Sequence, residues 1–254
     1  MTGKLLLRGM LVGVLAGLLA FGFARLFGEP QVDAAIAFEE HMSAMHEAAE
    51  ADAGAMAGHD HEEELVSREV QASWGLLTGV VVYSASMGGL FALVFAYSLG
   101  RVGRIGPRGL GALLALAAFV TLYLVPSLKY PANPPSVGDP DTIKRRTELF
   151  FLMIAVSVAA AAVAINLVRK RAARHGIWNA AITGAALYLV VCVLASYLFP
   201  AVREVPHDFP ADLLWQFRVV SLGIQAILWG TVGLVFGAWV EHGLKQQQGR
   251  YVLG

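Results

Sequence analysis

Charge is what this sequence has least of. Only 15% of its 254 residues are Asp, Glu, Lys or Arg, against 57% hydrophobic residues. That balance is too apolar for a soluble domain of this length. The formal net charge is zero, which removes the electrostatic case for a nucleic-acid partner. There is one cysteine, Cys192, inside an apolar run. It cannot form an internal disulfide and is silent on redox compartment. Catalytic signatures are missing as well. No Gly-x-Ser-x-Gly, His-Glu-x-x-His or P-loop pattern occurs, so the chain is read as no enzyme and as not powering itself with ATP.

What is present is a succession of long apolar runs separated by short charged loops. The expected fold is an all-α polytopic membrane helix bundle, a single membrane domain over 1–254, because only helices satisfy their own backbone in lipid without closing a barrel. About six transmembrane helices are expected, at 5–27, 75–99, 109–128, 148–168, 178–199 and 219–240. Each is long enough to cross the hydrocarbon core at about 1.5 Å per residue. The first is read as retained, since Arg25-Leu26-Phe27-Gly28 lacks a small-x-small cleavage site. Gly9, Gly13 and Gly17 recur every four residues, and Ser84, Gly88, Ala92 and Ala96 repeat the pattern. Such stripes let helix backbones approach closely.

The loops set an orientation. Arg101, Arg104 and Arg108 lie in one loop and Arg169, Lys170, Arg171 and Arg174 in another, both without acids, and Lys4, Arg8, Lys245 and Arg250 flank the ends. With six spans all fall on one side, so the N- and C-termini are expected to be cytoplasmic. Lys129, Lys144, Arg145 and Arg146 oppose this bias without reversing it.

One long polar stretch, 28–73, then lies outside as an extracytoplasmic loop between the first two helices. It holds four of the seven histidines: His41, His46, His59 and His61. Residues 33–53 are alanine-rich and suit a short surface helix, on which His41 and Met45, and His46 and Glu50, share faces. Gly54 and Gly58 should end it before His59-Asp60-His61-Glu62. Imidazole nitrogens with carboxylate oxygens suit divalent first-row metals. His41, His46, His59, His61, Asp60 and Glu62 are therefore the candidate metal ligands, against the plain alternative of a solvated acidic linker. They would bind an ion transiently, with no tightly held cofactor, and do not distinguish Co²⁺ from Ni²⁺ or Zn²⁺.

Two further outer stretches carry chemistry. The proline-rich run 128–140 offers Asn133, Asp139 and, just beyond it, Asp141, and its plain function is a rigid turn. The run 205–218 holds His207 beside Asp208, and Trp215 with Arg218 as an interfacial anchor pair. Tyr-Leu-Val-Pro126, Tyr-Leu-Phe-Pro200 and Arg25-Leu26-Phe27-Gly28-Glu29-Pro30 suggest a repeated helical hairpin, each with a proline-marked break at the outer surface. Inside the spans there is no central Asp, Glu, Lys or Arg, which argues against proton coupling through a buried carboxylate. Met87 and Gln225 are the polar positions singled out as pore-lining candidates.

The start Arg8-Gly9-Met10…Gly17, the Glu29-Pro30…Ala34-Ala35-Ile36…Glu39 run, the Lys129-Tyr130-Pro131-Ala132-Asn133-Pro134-Pro135…Val137-Gly138-Asp139-Pro140 block and the Phe209-Pro210-Ala211-Asp212-Leu213-Leu214-Trp215…Phe217-Arg218 block resemble the CbtA family of probable cobalt transporter subunits. The likeness covers essentially the whole chain. It implies a bacterial inner-membrane protein tied to cobalt supply for cobalamin synthesis, with a small single-span partner carrying histidines (CbtB-like). The expected function is thus a permease subunit for uptake of a divalent transition metal, chiefly Co²⁺. The alternative is a non-transporting metal-binding assembly or sensor subunit. The lipid bilayer is the other expected partner, and a homo-oligomer is compatible with both.

Overall fold

The computed structural model describes residues 2–52, 67–103 and 105–252. Among the described residues every regular element is helical and there is no strand. Helix α1 (Thr2–Phe23) passes through a π turn (Ala24–Gly28) into α2 (Glu29–Asp52). A short α3 (Arg68–Val70) passes through another π turn (Gln71–Gly75) into α4 (Leu76–Ser98). Next, α5 (Pro107–Ala118) passes through a third (Phe119–Leu124) into α6 (Val125–Lys129), and α7 (Pro140–Leu198) and α8 (Ala211–Val252) complete the chain. Five continuous helical runs are long and apolar enough to cross a membrane: Thr2–Met45, Arg68–Ser98, Pro107–Lys129, Asp141–Leu198 and Ala211–Gln246.

The fourth run is two helices. Gly176 has φ 76° and ψ 158°, a conformation reserved for glycine, and it interrupts the helical backbone inside α7. The chain doubles back there. Ser157 Oγ lies 2.8 Å from the Tyr188 hydroxyl, and a Cβ on Gly184 would come 3.2 Å from the Ala164 carbonyl oxygen. The loop expected at 169–177 is therefore helical up to the glycine. Its Arg, Lys and Ala residues are good helix formers, and nothing short of a forced left-handed residue ends the run.

The proline-marked breaks also differ from expectation. No break occurs at Pro30 or at Pro126. In both places a π turn ends two residues before the proline, with Glu29 N–H bonding back to the Ala24 carbonyl in the first. Widening the helix there relieves the clash between the proline ring and the preceding turn. Only at Pro200 does the helix stop at once, at Leu198. The stretch 28–73 is thus helical through Asp52 and resumes at Arg68, with the helix expected over 33–53 continuous with the first membrane helix.

The chain forms two compact units. The first takes the described residues of 1–116, 133–137 and 207–254. Its spine is the contact between α1 and α4, built on the glycine stripe as the spacing predicts. A Cβ on Gly13 would lie 2.8 Å from Ala85 Cα, and one on Gly17 would lie 2.9 Å from Val81 Cα. Helix α8 packs beside them through Phe236, whose ring stands edge-on to Phe91 and Phe95 at 5.7 and 5.1 Å. Gly111 of α5 meets Gly237 of α8, a Cβ on the former coming 3.1 Å from Gly237 Cα. The second unit takes 117–132 and 138–206. Its core is Tyr130, Met153 and Ala195, flanked by Val125, Leu149, Phe150 and Phe199.

Candidate functional site

Helix α2 carries the described part of the histidine and acid segment. Its first turns are anchored within the first unit: Ala35 is buried with Val137 and Phe209, and Phe38, Leu213 and Leu214 pack around them. Phe38 and Phe209 meet edge to face at 5.2 Å. Ser136 Oγ donates to the Ala35 carbonyl at 3.1 Å. Beyond this anchor Glu39, Glu40, His41 and Met45 are exposed. His41 and Met45 are one turn apart on a regular helix, as expected. The backbone of His46 is helical, but its side chain, like His59, Asp60, His61 and Glu62 entirely, lies outside the described residues. Among the described residues no group of three His, Cys, Asp or Glu is placed to hold a metal ion.

At the junction of α1 and α2 stands an ion cluster that sequence reasoning missed. Arg68 Nη2 donates to the buried carboxylate of Glu29 and, at 2.9 Å, to Asp33 Oδ1. Arg68 Nε adds a bond of 3.2 Å to Asp33. The Glu29 side chain is 9% exposed, the Asp33 side chain 61%. Glu29 and Asp33 are one turn apart, so one guanidinium spans both. The legible signal was an acid at the end of an apolar run with a second acid four residues on.

Polar groups of the proline-rich segments bond to other parts of the protein. Asn133 Oδ1 accepts from Arg218 Nη2 at 3.1 Å. Asp139 caps α7 by accepting from the Asp141 amide at 2.9 Å. In the second unit Arg146 Nη1 donates to Glu204 Oε2 at 2.9 Å, the Thr142 hydroxyl donates to the same carboxylate, and Arg146 Nη2 reaches the Pro131 carbonyl at 3.5 Å. The Tyr130 hydroxyl donates to the Pro200 carbonyl at 2.9 Å. Arg68, Arg146 and Arg218 each stand in the first turns of a helix and tie it to a segment distant in sequence. His207 and Asp208 are exposed and join no metal-binding group among the described residues.

Inside the membrane helices of the first unit, Tyr83 and Gln225 stand close together. Both border a cavity of about 240 Å³ with Ala20, Gly79, Ser84 and Leu228. Gln225 thus borders this open hollow, while Met87 does not line it. The indole N–H of Trp229 is buried without a hydrogen-bond partner among the described residues.

A family model described as "Probable cobalt transporter subunit (CbtA)" matches residues 2–241. No curated protein and no solved structure matches the chain.

Proposed function

Since the chain belongs to the CbtA family of probable cobalt transporter subunits, we propose that it is a membrane permease subunit for uptake of a divalent transition metal, chiefly Co²⁺, with Ni²⁺ and Zn²⁺ as competitors. The observation that carries this is the unbroken course of α1 into α2. A helix that starts in lipid continues through a stretch rich in acid and histidine, so the collecting segment has a rigid stem. His41, His46, His59, His61, Asp60 and Glu62 form the collector, binding the ion weakly enough to release it. The six apolar segments, counting α7 as two, cross a bacterial cytoplasmic membrane with both termini inside and the collector outside. A small single-span, histidine-bearing protein completes the assembly.

Cellular cobalt uptake at limiting external cobalt tests this. Replacing the four histidines by alanine is expected to raise the apparent KM and leave the maximal rate intact. Unchanged uptake at low cobalt would remove the collector from the mechanism.

A second reading is a metal-binding assembly or sensor subunit that regulates a transporting partner. It is favoured by the lack of any central charged side chain in the apolar segments, which argues against proton coupling through a buried carboxylate by this chain alone. Liposomes holding this chain alone separate the two: flux supports a permease, and binding without flux supports a sensor.

A further inference from the structure

The second unit gathers the basic residues that run against the charge bias of the other loops. Helix α6 separates two hollows. One, of about 360 Å³, is lined by Tyr123, Ser127, Tyr130, Arg146, Thr147 and Phe150. The other, of about 490 Å³, is lined by Val125, Leu128, Lys129, Leu189, Val193 and Tyr197. Their α6-side residues fall at helical spacing on opposite faces, so the hollows flank one short helix.

Cationic groups converge where α6 ends. Lys129 Nζ stands 5.9 Å from the centre of the Tyr130 ring. Arg145 stands beside Arg146 on α7; burial pushes the Tyr130 phenol up, and the charge of Arg145 pulls it back. Arg146 lines the first hollow, partly neutralised by Glu204. Among the described residues neither Lys129 nor Arg145 makes an ion pair, and Asp141 and Glu148, on the same turns of α7, pair with neither. The hydroxyls of Ser127 and Thr147 donate to the Leu124 and Ile143 carbonyls, so attraction at this spot comes from the cations. Below them the walls of the second hollow are mainly apolar, with Leu128, Leu189, Val193 and Tyr197 exposed, and Phe150, Ile143 and Ala132 give the first an apolar share.

A cationic rim over two grooves, one mainly apolar and one mixed, is complementary to an amphiphile with a negative head and two chains. We propose that this face of the second unit binds an anionic phospholipid, its phosphate among Lys129, Arg145 and Arg146 and its acyl chains in the grooves beside α6. Nothing in this depends on the metal cargo. Bound lipid offsets the unpaired charges and gives the run of basic residues a reason to stand there.

The test uses the full chain, purified in detergent and titrated with phosphatidylglycerol or phosphatidylcholine, with retained lipid counted by native mass spectrometry. Phosphatidylglycerol is expected to be retained and to raise the unfolding midpoint, and phosphatidylcholine is not. The double substitution Lys129→Gln with Arg145→Gln should weaken retention about 30-fold, from roughly fivefold for each basic residue. The single Arg145→Gln, at an exposed position, guards against misfolding of the double variant and should show the fivefold loss alone. Lys170→Gln with Arg171→Gln, exposed some 25 residues further along the same arm of α7, should change nothing. Equal retention of both lipids, full retention by the Arg145→Gln variant, or an equal loss in the control would overturn the proposal. So would an equal rise in midpoint with soluble glycerol 3-phosphate, which would make the ligand a free phosphate ester.

Discussion

Arg68 holds the buried carboxylate of Glu29 from 39 positions further along the chain. The pair fastens the start of the second membrane helix to the place where α1 becomes α2, and Asp33 shares the same guanidinium. Removing Arg68 would strand a carboxylate that is 9% exposed. Breaking a fully buried pair costs about 3–5 kcal/mol. Because Arg68 itself is 29% exposed, water softens the loss, and Arg68→Ala is expected to cost about 2–3 kcal/mol. Adding Glu29→Gln should recover part of that, since a neutral amide is cheaper to bury unpaired. Unfolding of the purified protein in detergent reads both. A double variant no more stable than Arg68→Ala would show that the charge of Glu29 is not what Arg68 neutralises.

The glycine stripe makes a sharper demand. A Cβ on Gly88 would come 2.9 Å from Gly13 Cα, backbone against backbone, whereas one on Gly22, further along α1, meets nothing within 4 Å. Gly88→Ala should therefore push α1 and α4 apart, at about 1–3 kcal/mol for an overpacked contact. Gly22→Ala should stay within about 0.5 kcal/mol of the parent. The unfolding midpoints of the two variants check this, and equal midpoints would mean that the close approach carries no energy.

Much of this architecture was legible because hydropathy and small-residue spacing report on burial in lipid directly. The expected spans at 5–27 and 75–99 are the helices whose Gly9, Gly13, Gly17, Ser84 and Gly88 meet. Continuity was harder to see. Pro30 and Pro126 read as breaks because proline removes a hydrogen bond, but a π turn before each one absorbs the defect. A break was expected between 168 and 178, but the Arg, Lys and Ala residues before Gly176 are good helix formers, so its narrowing to one residue had no local signature. The pairings of Glu29 with Arg68 and Glu204 with Arg146 join residues 39 and 58 positions apart, and no periodicity encodes them. Of the candidate ligands, the described residues include the side chain of His41 alone, so the collector rests on residue chemistry and on the stem that α2 supplies.

The turn inside α7 depends on one residue. Gly176 sits at φ 76° and ψ 158°, where any Cβ is strained by about 1–3 kcal/mol. A Cβ there meets no neighbour within 4 Å, so strain would be the whole effect. Gly176→Ala is expected to lower stability by that amount and to loosen the contact between Ser157 and Tyr188. Gly230→Ala, on regular helix with equally open surroundings, should be neutral. An unaltered midpoint for Gly176→Ala would show that the chain can turn at this point in an ordinary conformation.

Orientation can be read with one reagent, because Cys192 is the single cysteine. In a Cys192→Ser background, new cysteines at Ser43, Ala173 and Gln246 all fall on exposed positions of α2, α7 and α8. The basic residues Arg169, Lys170, Arg171 and Arg174 surround Ala173, and positive charge is held on the cytoplasmic side. A membrane-impermeant maleimide added to intact cells should therefore label Ser43→Cys alone. Ala173→Cys and Gln246→Cys should react only after the membrane is opened. Ala173 and Gln246 must behave alike, since α7 doubles back at Gly176 and one further pair of crossings separates them. Labelling of Ala173→Cys from outside, with Ser43→Cys protected, would invert the protein in the membrane and put the histidine segment on the side where imported metal is released.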